Sequence, residues 1–107
     1  MKMIQAYIKP HRVSETSLAL HRLDAVTGIS TFVVHGWGRK KLRVEETRHE
    51  ARVSDFEEYV KIETVCEDAA VSEVVETLRH AARTGLPGDG RVYVIPVEDS
   101  RPVREDE

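Results

Sequence analysis

Apolar and polar residues alternate along the start of the chain, over residues 3–9. The apolar positions are Ile4, Ala6 and Ile8. An extended strand points successive side chains to opposite faces, so this alternation predicts a half-buried strand that ends at Pro10. Residues 29–35 are rich in β-branched and aromatic types and predict a second strand, after a connection closed by Gly28.

Helical spacing of apolar residues predicts two helices. Ser14 is the expected N-cap of the first helix, which runs to about Asp24. Its inner side carries Thr16, Ala19, Leu20 and Leu23. Asp68 is the expected N-cap of the second helix, which Gly85 terminates. The apolar positions of this second helix are Val71, Val74, Val75, Leu78 and Ala82.

A long charged segment without periodicity runs from Gly36 to about Glu57, before a third strand at 59–66. A loop of this length in a small domain is more often functional than incidental. With a last strand at 91–97, the element order is that of an α+β ferredoxin-like βαββαβ sandwich, in which two helices cover a four-stranded antiparallel sheet. The sheet's other face is expected to carry Tyr7, Phe32 or its neighbours, and alternate residues of the other strands. Such a face is too apolar for water and predicts association with other copies of the chain.

Composition narrows the class of protein. A chain of 107 residues with 40% hydrophobic residues predicts one domain over 1–107, with a loose charged tail at about 98–107. A formal charge of −3 argues against a dedicated nucleic-acid binder. The one cysteine, Cys66, excludes an intrachain disulfide. Residues 1–10 hold no apolar run long enough for a signal peptide or membrane span, so the cytoplasm is the expected compartment.

Three glycines within six residues mark the segment Thr-Gly-Leu-Pro-Gly-Asp-Gly-Arg at 84–91. Glycine lets a backbone approach an anion closely, and Arg91 adds a cation directly before the last strand. A tight turn between a helix and a strand also needs glycine for conformational reasons alone. Taken by itself, the motif leaves an anion site and a bare turn as equal alternatives.

The chain resembles the PII signal-transduction family from residue 1 to about 97. Four segments carry the resemblance: Met-Lys-Met-Ile-Gln-Ala-Tyr-Ile-Lys-Pro at 1–10, Gly-Trp-Gly-Arg at 36–39, Val-Lys-Ile-Glu at 60–63, and the glycine-rich motif continued to Val94. The resemblance implies a non-enzymatic homotrimer that binds ADP and ATP between subunits and has no obligatory cofactor. It does not decide whether AMP also binds or whether magnesium accompanies the nucleotide. It also implies a T-loop, at about 37–57, that docks on a regulated protein, with a membrane transporter as the preferred partner class.

The same resemblance assigns candidate nucleotide-binding residues by position. Those matching the phosphate-contacting loop are Gly88, Asp89, Gly90 and Arg91. Those at or beside the base of the T-loop are Gly36, Trp37, Gly38, Arg39 and Lys40. Those matching the adenine and ribose end are Ile8, Ser30 and Thr84. Glu63 either faces the nucleotide cleft or pairs with Lys61 on the sheet surface, and Arg104 is a candidate cation from a neighbouring subunit. Trp37 is either a packing residue or a partner contact.

Two positions depart from the nitrogen-sensing members of the family. Lys40 stands where they carry a glutamine that helps hold magnesium and 2-oxoglutarate, and a protonated lysine cannot ligate a metal. Tyr59 replaces a lysine of the 2-oxoglutarate site. No tyrosine occurs between Gly38 and Asp55, so uridylylation of the loop is not expected.

A second class of function remains as the alternative. Proteins of the CutA type, which are trimeric metal-tolerance proteins, share the general architecture, although they do not account for the glycine-rich motif. His35 and His49, with nearby acids, have suitable chemistry for a metal, but their spacing matches no compact ligand motif. No catalytic pair or triad occurs at informative spacing, which argues against an enzyme.

Overall fold

The structure, a computed structural model, describes residues 1–36 and 57–107. Its strands are β1 (Lys2–Ile8), β2 (Ser30–Gly36), β3 (Glu57–Cys66) and β4 (Gly90–Pro96). Its helices are α1 (Val13–His21) and α2 (Val71–Ala82), and a three-residue 3₁₀ turn precedes each of them. The predicted order of elements is confirmed, with strand ends displaced by one or two residues.

The four strands form one antiparallel sheet in the order β2-β3-β1-β4. β1 lies at the centre, where Ile4 is opposite both Thr64 of β3 and Val94 of β4. β2 and β4 are the edges. This order, together with two helices on one face, is the predicted α+β ferredoxin-like architecture.

The core lies between the sheet and the helices. The alternation in β1 is confirmed, because Ile4 and Ala6 are fully buried and Ile8 is 2% exposed. The helices contribute three further fully buried apolar side chains, Leu20, Val74 and Leu78. Each such side chain contributes roughly 1.5–3 kcal/mol relative to exposure in water, so the helical periodicity and the strand alternation together specify the core.

Neither predicted N-cap is used. α1 begins at Val13, before Ser14, because a turn starting at Pro10 already directs the chain into the helix, and its N-cap has no side-chain hydrogen bond. α1 also ends at His21, short of Asp24. Asp68 lies in the 3₁₀ turn, where its carboxylate accepts hydrogen bonds from the N-terminal ammonium of Met1 at 2.6 Å and from Lys2 at 3.2 Å. These two cations lower the pKa of Asp68.

Arg12 connects the start of α1 to the end of α2. Its Nε and Nη2 atoms donate to the carbonyl of Ala81 at 3.1 and 2.6 Å, and its Nη1 lies 2.5 Å from the Glu15 carboxylate. The last carbonyls of a helix have no intrahelical partner, so a cation there is stabilising.

We expect the substitution Arg12→Met, which keeps the apolar stem, to lower the free energy of unfolding by about 2 kcal/mol. Chemical denaturation measures this change. Arg22→Met is the matched control, because Arg22 has no ion pair or side-chain hydrogen bond within the described residues, and it should change stability by less than about 0.5 kcal/mol. Equal losses in the two variants would contradict a capping role for Arg12.

The sheet face turned away from the helices, called the outer face below, exposes several large apolar side chains. They are Phe32 at 45%, Val65 at 36%, Tyr93 at 45% and Ile95 at 37%. Tyr7 makes an edge-to-face contact with Tyr93, with ring centroids 6.1 Å apart. Lys61 Nζ lies 4.7 Å from the centre of the Phe32 ring. Tyr7 and Phe32 therefore share the outer face, and the structure thereby decides a position in β2 that the sequence had left open.

Candidate functional site

The segment 84–91, called the glycine loop below, connects α2 to β4. α2 ends at Ala82 and Arg83 is already extended, so the prediction that Gly85 terminates the helix is wrong. Gly85, Gly88 and Gly90 have φ values of 89°, 83° and 121°, which other residues rarely adopt. The three glycines are thus required by the shape of the loop itself.

Gly90 also brings the loop into direct contact with β1. A Cβ atom built on Gly90 would lie 1.7 Å from the carbonyl oxygen of Tyr7 and 2.9 Å from its carbonyl carbon. No side chain fits there, because both neighbouring atoms belong to the backbone of the central strand. The end of the glycine loop is therefore held against a rigid element of the sheet.

Asp89 holds the loop together from inside. Its carboxylate accepts hydrogen bonds from the Thr84 hydroxyl, from the Thr84 N–H at 2.8 Å and from the Gly85 N–H at 3.3 Å, and Lys9 Nζ lies 3.6 Å away. The hydrogen bond from the Thr84 hydroxyl is the largest of the effects that lower the pKa of Asp89 to about 2. The carboxylate is ionised and already hydrogen-bonded, so its role in this structure is to shape the loop.

Tyr59 joins the glycine loop to both residues that flank 37–56. Its hydroxyl lies 3.2 Å from the Glu57 carboxylate and 3.5 Å from the carbonyl oxygen of Gly88. Its ring packs beside Gly36, where a Cβ atom would lie 3.4 Å from Tyr59 Cδ1. Burial, followed by the charge of Glu57, raises the pKa of Tyr59, which keeps the hydroxyl protonated as a donor.

The structure places part of the predicted site at one end of the sheet. Ile8 is opposite Gly90 in the β1–β4 pair and opposite Val60 in the β1–β3 pair, and Gly36 reaches the same end through Tyr59. The predicted residues that meet there are Ile8, Gly36, Thr84, Gly88, Asp89, Gly90 and Arg91. Trp37, Gly38, Arg39, Lys40 and the predicted T-loop up to residue 56 lie outside the described residues.

Ser30 and Glu63 are not brought to that end of the sheet. Ser30 and Glu63 face each other across β2 and β3, and Glu63 lies roughly 10 Å along its strand from Val60. Glu63 accepts a hydrogen bond from Gln5 at 2.7 Å and pairs with Lys61 at 3.4 Å, so the predicted surface pair is present. Arg104 is exposed in the tail and pairs with Asp106 at 2.5 Å.

A cavity of about 540 Å³ opens between α2 and the start of β4, beside the glycine loop. Ile8, Leu78 and Val92 supply an apolar lining. Arg79 and Arg83 from the α2 side and Arg91 from β4 also line it. Within residues 1–36 and 57–107, Arg91 makes no ion pair and no side-chain hydrogen bond. The cavity combines an apolar lining with cations, which is suited to an organic anion.

Sequence reasoning missed two features of this site. Tyr59 was noted only as a departure from the family, and the cations of α2 were not included. The alternation in β3 places Tyr59 on the outer face with Lys61, but its contact with Gly88 depends on the path of a loop 29 residues later. Cys66 is buried as predicted, and burial raises the pKa of its thiol.

Other classes of site receive no support from the described ranges. Among residues 1–36 and 57–107, no group of three or more His, Cys, Asp or Glu side chains could hold a metal ion. His35 lies opposite Glu58, and His49 falls outside the described residues. No helix in the described part of the chain is both long and apolar enough to cross a bilayer.

Comparison with known proteins agrees with this fold and loop. The family model described as nitrogen regulatory protein P-II matches residues 1–107. A nitrogen regulatory protein P-II of Azospirillum brasilense is 41% identical over 107 residues, which is 100% of this chain and 95% of the relative. Those of Rhodospirillum rubrum and Cereibacter sphaeroides are 40% and 41% identical with the same coverage. The chain therefore belongs to the nitrogen regulatory protein P-II family, whose members are regulatory signal transducers and not enzymes.

Proposed function

We propose that this protein is a cytoplasmic regulator that binds ADP and ATP in clefts between the subunits of a homotrimer. Nucleotide binding then changes its affinity for a partner protein through the T-loop, at about 37–57. The observation that carries the proposal is the position of the glycine loop. It lies at the same end of the sheet as Gly36, and Tyr59 connects the two.

The chemistry of the glycine loop favours phosphate as the bound group. Left-handed glycines expose backbone N–H groups, and Arg91, which lacks a carboxylate partner in the described ranges, offers a planar guanidinium for bidentate hydrogen bonds. The negative charge of Asp89 is compensated by Lys9 and by three hydrogen bonds within the loop. Arg39 and Lys40 are expected to add cations. Ile8 is expected to contact the adenine.

The separation of the predicted residues supports a site shared between subunits. Ser30 lies on one edge strand and Arg91 on the other, about 14 Å apart across three strand spacings. A single protomer therefore does not bring Ser30 to its own glycine loop. A second copy of the chain can supply Ser30, Glu63 and Arg104 to the first copy's loop, and its contact would also cover the apolar outer face.

Tyr59 suggests how the site communicates with the T-loop. Its one hydroxyl proton can be donated either to Glu57 or to the Gly88 carbonyl, which belong to different arms of the site. Nucleotides change the T-loop only if they bind its two states with different affinity. Because Lys40 and Tyr59 replace the residues of the 2-oxoglutarate site, we propose that this response does not require 2-oxoglutarate.

Titration calorimetry with ADP, ATP and AMP, with and without magnesium, tests the proposal. We expect ADP and ATP to bind at physiological concentrations, and Arg91→Gln to weaken ATP binding by at least about tenfold. Absence of binding by the intact protein would overturn the proposal.

A pull-down with the intact protein and with residues 43–55 deleted, repeated with each nucleotide, tests whether the T-loop docks on a partner and whether that partner is a membrane transporter. Recovery of the same partner by both forms would contradict docking through the loop.

A charge on the outer face is expected to dissociate the trimer. Tyr93→Asp would bury an unpaired carboxylate between subunits, which costs about 3 kcal/mol or more and shifts assembly by at least about 100-fold. Sedimentation velocity measures the assembly, and circular dichroism verifies the fold. Leu18→Asp, at a residue of α1 that is 51% exposed, is the matched control and should remain trimeric. A trimeric Tyr93→Asp variant would exclude the outer face as the interface.

A further inference from the structure

We propose that the cavity between α2 and β4 is a polyphosphate-binding subsite, in which Arg83 extends the anion-binding surface of the glycine loop onto α2. The inference deepens the proposed function, because it names the part of a ligand that this cavity would recognise. Binding of inorganic polyphosphate to this cavity can be measured whether or not the protein binds nucleotides. The family resemblance assigns no residue of α2 to ligand binding, so the α2 side of the cavity is identified from the structure alone.

The charges around the cavity do not balance. Glu76 is paired with Arg79 at 2.9 Å, and Asp89 is paired with Lys9 and hydrogen-bonded within the glycine loop. Arg83 and Arg91 have no carboxylate partner within the described residues. Arg83 Nη2 instead lies 3.1 Å from His80 Nδ1, which a neutral imidazole offers as an acceptor. Two arginines without a carboxylate partner in the described residues therefore line one cavity.

The C-terminal end of a helix ordinarily repels an anion, and the C-terminal end of α2 borders this cavity. The carbonyls of the last turn of α2 carry partial negative charge, and Ala82 lines the cavity. Here Arg12 donates two hydrogen bonds to the Ala81 carbonyl, which offsets part of that charge. Arg79 also lies in the last turn of α2. These two arginines reduce the negative potential at this helix end.

The size of the cavity favours a chain of phosphates. Its volume of about 540 Å³ is in the range of small-molecule sites, so it accommodates more than one phosphate group. Leu78 and Val92 give the cavity an apolar part, and a lower local dielectric strengthens charge-assisted hydrogen bonds. Guanidinium binds phosphate oxygens in a bidentate manner, which a lysine in the same place would not reproduce.

Calorimetric titration of the full chain with inorganic tripolyphosphate tests the subsite. We expect binding by the unmodified protein and a loss of about tenfold or more in affinity for Arg83→Gln. Arg83→Lys, which keeps the charge but not the bidentate geometry, should lose less. Arg22→Gln removes an equal charge from a residue outside the cavity lining and should stay within about twofold. Absence of tripolyphosphate binding, or equal losses for Arg83→Gln and Arg22→Gln, would overturn the inference.

Nucleotide titrations of the same variants separate this inference from the proposed function. We expect Arg83→Gln to weaken ATP more than AMP, because AMP lacks the β- and γ-phosphates that would reach α2. If ATP and AMP bind the intact protein and Arg83→Gln changes neither, the subsite is wrong and the proposed function stands. If no nucleotide binds but tripolyphosphate binds in an Arg83-dependent manner, the proposed function is wrong and the subsite stands.

Discussion

Replacing Gly90 with alanine is expected to destabilise the protein by about 3–5 kcal/mol, the largest effect of any single methyl group added at a glycine of the described chain. Two independent costs add at this position. The backbone has a φ of 121°, a conformation that residues with a Cβ atom rarely adopt. The added Cβ would also lie 1.7 Å from the Tyr7 carbonyl oxygen, so the contact can be relieved only by moving β4 away from β1.

Chemical denaturation of Gly90→Ala and of Gly28→Ala tests this expectation. Gly28 has no atom within 4 Å of a built Cβ and has no positive φ, so its substitution should change stability by less than about 0.5 kcal/mol. Separation of β4 from β1 should also appear as faster amide exchange in β4. A Gly90→Ala variant as stable as Gly28→Ala would show that the loop end does not approach β1 as closely as described.

Asp89→Ala is expected to reduce ATP affinity by at least about tenfold, although it removes a negative charge from the proposed nucleotide site. Loss of the repulsion between this carboxylate and the phosphates would by itself predict the opposite, namely tighter binding. The structure predicts weaker binding because the carboxylate accepts three hydrogen bonds from Thr84 and Gly85, and without it the loop loses the shape that presents its N–H groups. Calorimetry measures the affinity, and amide exchange at Thr84 and Gly85 measures the loss of loop structure.

Asp99→Ala is the matched control, because it removes the same charge from an exposed tail residue whose ion pair in the described part of the chain is with Arg101. It should leave ATP affinity within about twofold. Stronger ATP binding by Asp89→Ala than by Asp99→Ala would show that repulsion of phosphate, not loop shape, governs the role of Asp89.

The same carboxylate predicts how the loop responds to pH. The folded pKa of Asp89, about 2, lies below its ordinary value of 3.8. A depressed pKa means that the ionised form stabilises the fold. This contribution is complete above 3.8 and is lost as the pH falls through about 2. The Asp89 carboxyl, followed by NMR, should therefore titrate near 2. A midpoint near 3.8 would contradict its hydrogen bonding in the loop.

The local pattern of apolar and polar residues was sufficient to predict the strands and helices of the fold. The alternation of Ile4, Ala6 and Ile8 identified both the strand and its buried face, and the spacing of Val74 and Leu78 identified the buried side of α2. These predictions succeeded because the periods of 2 and 3.6 residues follow from backbone geometry, which needs no information about distant residues. The order of the elements then restricted the topology to one common solution.

The helix starts show where local pattern was insufficient. Ser14 and Asp68 have the residue types that favour an N-cap, but neither caps a helix. Pro10 starts a turn that precedes α1, and Asp68 pairs instead with the ammonium of Met1, which is 67 positions away in the chain. A residue with several possible partners is decided by which partner the fold brings close, and a single sequence does not contain that distance.

The glycine-rich motif was first equally compatible with a bare turn and an anion site. From the residues alone one could infer its glycines, its acid, its cation and its resemblance to the P-II family. The tertiary structure decided what each residue does. Gly90 is required by the backbone of β1, and Asp89 is used inside the loop. Tyr59 contacts the loop from β3, and Arg83 lines the cavity beside it. Those roles depend on contacts between segments far apart in the chain, which exist only once the sheet and helices have packed.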